Sequence, residues 1–206
     1  MRDNSLRASY EKPRSQMRLL ITGGTGVLGR SQGPLAVAAG HETAMPGHEE
    51  LDLFDPSAVA DTVRDVDGVV HLATRIRSLD QISDPDVWLE NDRRRAKRRR
   101  TRRLARSCQF CALRSALVAE REAERFARAG GRAVVLRFGL LDGPGTWFDE
   151  PMGDFGATLH VGDAGRALLS ALSLPSGIYN VCRDGERVLS ERLARAAGWH
   201  PRTLVT

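Results

Sequence analysis

The chain has 206 residues, 41% of them hydrophobic and 28% charged, which suits one globular domain with a buried core and leaves no apolar run near the ~20 residues that span a bilayer. The formal net charge of +5 is local in origin: residues 93–106, RRRAKRRRTRRLAR, carry ten of the 31 basic residues and no acid, leaving 21 basic against 26 acidic residues elsewhere. The protein surface as a whole is therefore not basic, and the run itself reads as a solvated helix face, an insert or a non-specific phosphate binder, with no interleaved aromatic to stack on bases.

Residues 1–16 are polar and have no apolar core of a signal peptide. They are expected to form a disordered extension, with Met17 an alternative start and a cytoplasmic location by default. Residues 17–206 then form a single domain. A first strand is expected at 19–22, followed by a glycine-rich turn and a helix over 27–39, which Pro34 kinks or delays. Gly40 ends that helix, and 41–45 read as a second strand. Asp55-Pro56 supplies an N-cap and a proline at the first helical position, opening a helix through Val63. Residues 68–73 read as a buried strand. Residues 86–106 look helical, and 112–129, rich in Ala, Glu and Arg, form a stronger helix ended by Gly130-Gly131. Strands at 133–138 and 177–181 and helices at 163–173 and 189–197 complete the chain. Strand and helix alternate, which predicts an α/β fold with a doubly wound parallel sheet of Rossmann type. One strand is wanting between residues 73 and 133, where only 107–111 offers apolar material.

Of three cysteines, Cys108 and Cys111 have C-x-x-C spacing. No second pair completes a four-ligand zinc site, so they read as small half-buried residues and no metal is expected.

The loop Thr22-Gly23-Gly24-Thr25-Gly26-Val27-Leu28-Gly29 has the pattern T-G-x-x-G-x-x-G. Gly23 permits the tight turn, Gly26 lets backbone approach a pyrophosphate, and Gly29 lets helix pack on strand. The helix start then offers free N–H groups and partial positive charge to phosphates. Its position after an apolar strand and before a helix is the context such a loop requires.

With Asp52-Leu53 after a short third strand and His71-Leu72-Ala73 after the fourth, this loop resembles the cofactor half of the short-chain dehydrogenase/reductase superfamily. The branch it is most similar to is the extended or atypical NAD-dependent epimerase/dehydratase group. Leu136-Arg137-Phe138-Gly139 with Gly143-Pro144-Gly145, then His160-Val161-Gly162-Asp163, then Gly177-Ile178-Tyr179-Asn180-Val181 match that branch in order, so the resemblance runs from Met17 to about Pro201. It implies NAD or NADP bound by Gly23, Thr25, Gly26, Val27, Leu28 and Gly29. Asp52 and Leu53 would border the adenine, and Leu72, Ala73 and Thr74 would pass beneath the ribose and nicotinamide side. Asn91 matches an asparagine of the following helix, and Phe138-Gly139 lies where the nicotinamide would end. For Asp52 a turn or capping carboxylate is the alternative, and His71 is read as a core residue. Glu49 or Glu50 suits a ribose 2′-OH and His48 a 2′-phosphate. No arginine follows to clamp that phosphate, which leans to NAD.

The superfamily's proton relay pairs a tyrosine with a lysine one helical turn later, where the ammonium stabilises the phenolate. Here Tyr10 and Tyr179 are followed at that spacing by Arg14 and Arg183, and neither Lys12 nor Lys97 has a tyrosine four residues before it. In CALRSALVAERE (111–122), where Ser115 and Glu120 fit the catalytic helix, Ala112 stands at the tyrosine position and Ala116 at the lysine position. The catalytic residues are therefore not assigned. The span from Gly145 to Thr158 is short, which implies a truncated C-terminal substrate lobe. Three functions follow: redox chemistry on a sugar nucleotide or related small molecule, inactive dinucleotide binding or sensing, and, least favoured, nucleic-acid binding through 93–106. The oligomeric state is left open.

Overall fold

The structure is a computed structural model that describes residues 16–74, 86, 111–151, 157–183 and 188–202. Its elements in chain order are β1 (Arg18–Thr22), α1 (Val27–Ala38), β2 (Glu42–Ala44), α2 (Pro56–Val63), β3 (Gly68–His71), α3 (Cys111–Arg128), β4 (Val134–Phe138), β5 (Leu140–Asp142), β6 (Thr158–His160), α4 (Val161–Ala171), β7 (Gly177–Val181) and α5 (Glu191–Ala197). Every strand pair is parallel. The order β2-β1-β3 makes one sheet, and β4-β7 and β5-β6 make two further pairs. This is the α/β, Rossmann-type architecture with parallel strands that the sequence predicts.

Apolar strands and two helices hold these pieces together. Leu19, Ile21 and Val70 share a core with Ala36 of α1 and Leu168 of α4, and Leu136 and Phe138 of β4 pack against it. A second core joins Leu159, Ala164, Tyr179, Val181, Leu193 and Trp199, with Leu28 reaching into it from α1. Helices α1 and α4 approach closely at Gly165, where a Cβ would stand 2.6 Å from Leu35 Cδ1.

Several elements differ from expectation for local reasons. Pro34 neither delays α1 nor ends it. It lies on the exposed side of the helix, where only the Arg30 carbonyl loses its helical donor. The strand at 68–73 stops at His71, and alternation decides its burial: Val70 faces the core, whereas Val69 is 49% exposed. His71 lies on the same open face and is exposed, so it is not a core residue. The short third strand before Asp52 is replaced by a turn. There Glu50 Oε2 accepts from Gly47 N at 2.7 Å, Leu51 N donates to Gly47 O, and Leu51 alone is buried. Strands β5 and β6, three residues each, were too short to announce themselves in the sequence. Of the weak strand at 107–111 only Cys111 is described, and it opens α3. Residues 1–15, Asn91 and the basic run 93–106 lie outside the described residues. No helix among the described residues is long and apolar enough to cross a membrane.

Helix α3 ends as its glycines predict. Gly130, at φ +93, lets Gly130 N bond Ala127 O and Gly131 N bond Phe126 O, a Schellman closure. Asp55 caps α2 by accepting from Ser57 N at 2.8 Å and Ala58 N at 3.3 Å.

The core is not wholly apolar. Gln32 of α1 is fully buried, and among the described residues neither amide atom has a hydrogen-bond partner. Leaving a buried polar group unpaired costs about 1–3 kcal/mol, whereas Met has nearly the same shape and no such need. Gln32→Met should therefore raise stability by roughly 1–2 kcal/mol, read as an increase of several degrees in Tm; a lower Tm would show that the amide is satisfied.

Candidate functional site at the first strand–helix turn

The glycine-rich loop is shaped by close backbone contacts. Gly23 has φ +74, and a Cβ there would lie 2.7 Å from Ala73 N and 2.8 Å from Ala73 Cα. Only glycine lets the loop press against the chain leaving β3. A Cβ at Gly29 would lie 2.4 Å from Gly23 O and 2.5 Å from Gly24 Cα, so this position must also be bare for α1 to fold back on the loop. Gly26 is different. Its Cβ would meet only Gly23 O, at 3.2 Å, and otherwise open space. Gly26 N donates to Gly23 O at 3.0 Å, and the first helical bond runs from Arg30 N to Gly26 O at 2.9 Å. Among the described residues the N–H groups of Val27, Leu28 and Gly29 have no partner and no side chain caps them, as at an open helix start. Thr25 and Gly26 are exposed, while Val27 and Leu28 are half-buried. The result is a turn exposed at Thr25 and Gly26, with Gly29 buried behind it, at the positive end of a helix dipole.

The ends of β1 and β3 are tied together beside it. Thr22 Oγ1 and His71 Nδ1 share a 2.7 Å hydrogen bond, and Leu72 N donates to Thr22 O at 3.0 Å. Ala73 is buried against Gly23, Leu72 is half-buried and Thr74 is exposed.

On the β2 side the sequence missed the residue that matters most. Met45, directly after β2, lies over the loop: a Cβ at Gly24 would be 2.8 Å from Met45 Cβ, and one at Gly33 would be 2.6 Å from Met45 Sδ. An apolar thioether therefore occupies the strand end at which a ribose-binding carboxylate would be sought. Glu50 is committed to the Gly47 turn, which leaves exposed Glu49 as the neighbouring acid. Asp52 Oδ1 accepts from Phe54 N at 2.9 Å in an Asx turn, with Leu53 half-buried beside it.

Two further groups were not legible from spacing. Arg183, just after β7, donates from Nη1 to Asp142 Oδ2 at 2.6 Å and from Nη2 to Asp142 Oδ1 at 3.0 Å, and Nη1 also reaches Thr158 Oγ1 at 2.9 Å. Arg30 of α1 stands beside the turn at 143–145, its Nη2 lying 3.9 Å from where a Gly145 Cβ would be. Both depend on pairs of residues far apart in the chain.

In α3, positions 112 and 116 are one helical turn apart, and because both are alanine neither offers a titratable group. Glu120 does, but it is engaged: its carboxylate accepts from Arg137 Nε at 2.7 Å and Nη2 at 2.8 Å, tying α3 to β4. That hydrogen bonding holds the Glu120 carboxyl below the usual carboxylate range. The folded-state value is lowered, so the contribution is present at neutral pH and is lost as pH falls through it. With Arg137 half-exposed the pair is worth about 1 kcal/mol at most. Stability should decline by that amount as pH drops below about 4.5, and Glu120→Gln should remove this part of the decline in denaturant melts. An unaltered acid limb in the variant would show that the pair contributes nothing. Among the described residues no cluster of His, Cys, Asp or Glu could hold a metal ion.

No family model matches the chain, and no curated protein matches it. Solved structures do. RMD from Pseudomonas aeruginosa, complexed with NADPH, aligns over 94% of this chain and 95% of its own, at 20% identity and a TM-score of 0.66. An epimerase from Methanothermobacter thermautotrophicus aligns over 92% of this chain and 89% of its own, at 14% identity and a TM-score of 0.69. UDP-glucose 4-epimerase from Thermus thermophilus, in complex with NAD, aligns over 90% and 85%, at 21% identity and a TM-score of 0.56. At such identities the likeness is one of architecture: this chain has the Rossmann-type fold that these proteins share.

Proposed function

We propose that the chain binds a nicotinamide dinucleotide, NAD or NADP, at the turn between β1 and α1. The observation that carries this is the start of α1, whose first N–H groups have no cap among the described residues and lie beside the exposed, bare Gly26, while Gly23 is pressed against Ala73. The donors suit a pyrophosphate, and the bare Gly26 leaves room for it. Leu72 and Ala73 lie against Gly23 of the same turn, Thr74 would continue along it, and Asp52 and Leu53 would meet the adenine. Exposed Glu49, with no arginine near it in sequence, supports a lean to NAD. Two of the structures of like fold were solved with NADPH and NAD. When bound, the nicotinamide ring supplies hydride transfer; this chain's residues hold the phosphates and orient the ring. The substrate class we propose is a sugar nucleotide or related small molecule, as acted on by UDP-glucose 4-epimerase of like fold.

A second reading, inactive dinucleotide binding or sensing, is favoured by Ala112 and Ala116, since a helix with alanine at both positions has no phenol to ionise. Fluorescence titration with NADH and NADPH tests the binding, and absorbance at the nicotinamide band on adding a sugar nucleotide separates the two readings. Saturable binding with turnover supports chemistry, and binding without turnover supports the sensing role. Absence of saturable binding overturns both.

A further inference from the structure

We infer that Arg30 is a phosphate-binding residue of this site, contacting the second phosphate of the dinucleotide, the one on the nicotinamide side. The inference rests on the dinucleotide reading above and adds to it a side chain that the glycine pattern does not include. Arg30 follows Gly29 and stands four residues after Gly26, on the exposed side of α1. Side chains on a helix lean toward its N-terminus, which is the direction from Arg30 to the free N–H groups of the first turn. Its placement beside Gly145 fixes the side on which it lies. The β2 side of the loop is covered by Met45, whereas residues 143–145 follow β4 and β5, the half of the fold where Phe138-Gly139 would meet the nicotinamide. Glycine at 145, with φ +79, keeps that flank low.

Its charge is uncommitted as well. Arg30 pairs with no carboxylate and makes no hydrogen bond among the described residues, whereas Arg137, Arg166 and Arg183 all have acidic partners. A guanidinium offers several donors in a planar fork that suits a phosphate oxygen pair, and such charge-assisted bonds exceed neutral ones. One arginine flanking a helix start that already binds anions through backbone donors therefore completes a two-phosphate site: backbone for the first phosphate, backbone and guanidinium for the second.

The test is equilibrium binding of NADH, ADP and AMP to the full chain and to Arg30→Ala and Arg30→Lys. ADP carries the second phosphate and AMP does not. Arg30→Ala should weaken NADH and ADP about tenfold and leave AMP within about twofold, and Arg30→Lys should recover part of the loss. Because Arg30 is exposed and unpaired, the variants should melt at the wild-type Tm, which serves as the folding control. Unchanged ADP affinity in Arg30→Ala overturns the inference and leaves the dinucleotide reading standing. An equal loss for AMP overturns it too, by showing only a general effect of charge. Failure of the wild type to bind NADH or ADP overturns the dinucleotide reading itself.

Discussion

Arg183→Ala should lower the stability of this protein by about 3–5 kcal/mol, because it strands a buried carboxylate. The Asp142 side chain is 3% exposed and that of Arg183 is 16% exposed, and the two meet through both guanidinium nitrogens and both carboxylate oxygens. The same guanidinium bonds Thr158 Oγ1, and Arg183 N donates to Thr158 O at 2.8 Å, so one side chain ties the end of β5, the start of β6 and the exit of β7. Removing it leaves the charge on Asp142 desolvated and unpaired. For a chain of this size that amounts to a fall of roughly 10 °C in Tm, measurable by thermal and urea denaturation. The exposed pairs Arg64–Asp61 and Arg128–Glu124 offer the contrast, since breaking either should cost under about 0.5 kcal/mol. A loss below 1 kcal/mol in Arg183→Ala would mean that water reaches Asp142 and that the three elements are held by their apolar contacts alone.

Gly26→Val should abolish dinucleotide binding, weakening it at least about 100-fold (~3 kcal/mol), while the protein stays folded. Gly26 has φ −75 and ψ 175, extended backbone that valine adopts readily, and an added Cβ meets only Gly23 O, at 3.2 Å. The new side chain therefore fills the space in front of the helix donors rather than the space inside the protein. Gly29→Ala separates the two effects. Its Cβ would lie 2.4 Å from Gly23 O, so backbone must move, and both stability and binding should fall. Titration of both variants with NADH, alongside circular dichroism, checks the pair. Wild-type affinity in Gly26→Val would mean that the loop is a structural turn and not a cradle.

Local rules carried far along this chain. The glycine pattern, the N-cap at Asp55, the helix stop at Gly130-Gly131 and the alternation of apolar strands with helices all rest on interactions within a few residues, so they are written in consecutive letters. They determined the parallel α/β fold, the first strand–helix turn and the elements nearest to it. The sequence also determined what α3 lacks, since alanine at 112 and 116 is a matter of identity alone.

Tertiary structure decided the rest. Whether His71 is core or surface depends on which face of β3 finds a covering helix, and the strand's own residues do not reveal it. Asp52, expected at the adenine, has one carboxylate oxygen in its own Asx turn, a local bond whose formation depends on how the chain leaves β2. Met45 covers Gly24 and Gly33 only because α1 folds back across the strand end. The Asp142–Arg183 pair joins residues 41 apart, and Arg30 reaches a turn more than a hundred residues away. Such contacts carry no periodicity and no spacing, because loop closure by a folded core, and not local geometry, sets which distant groups meet.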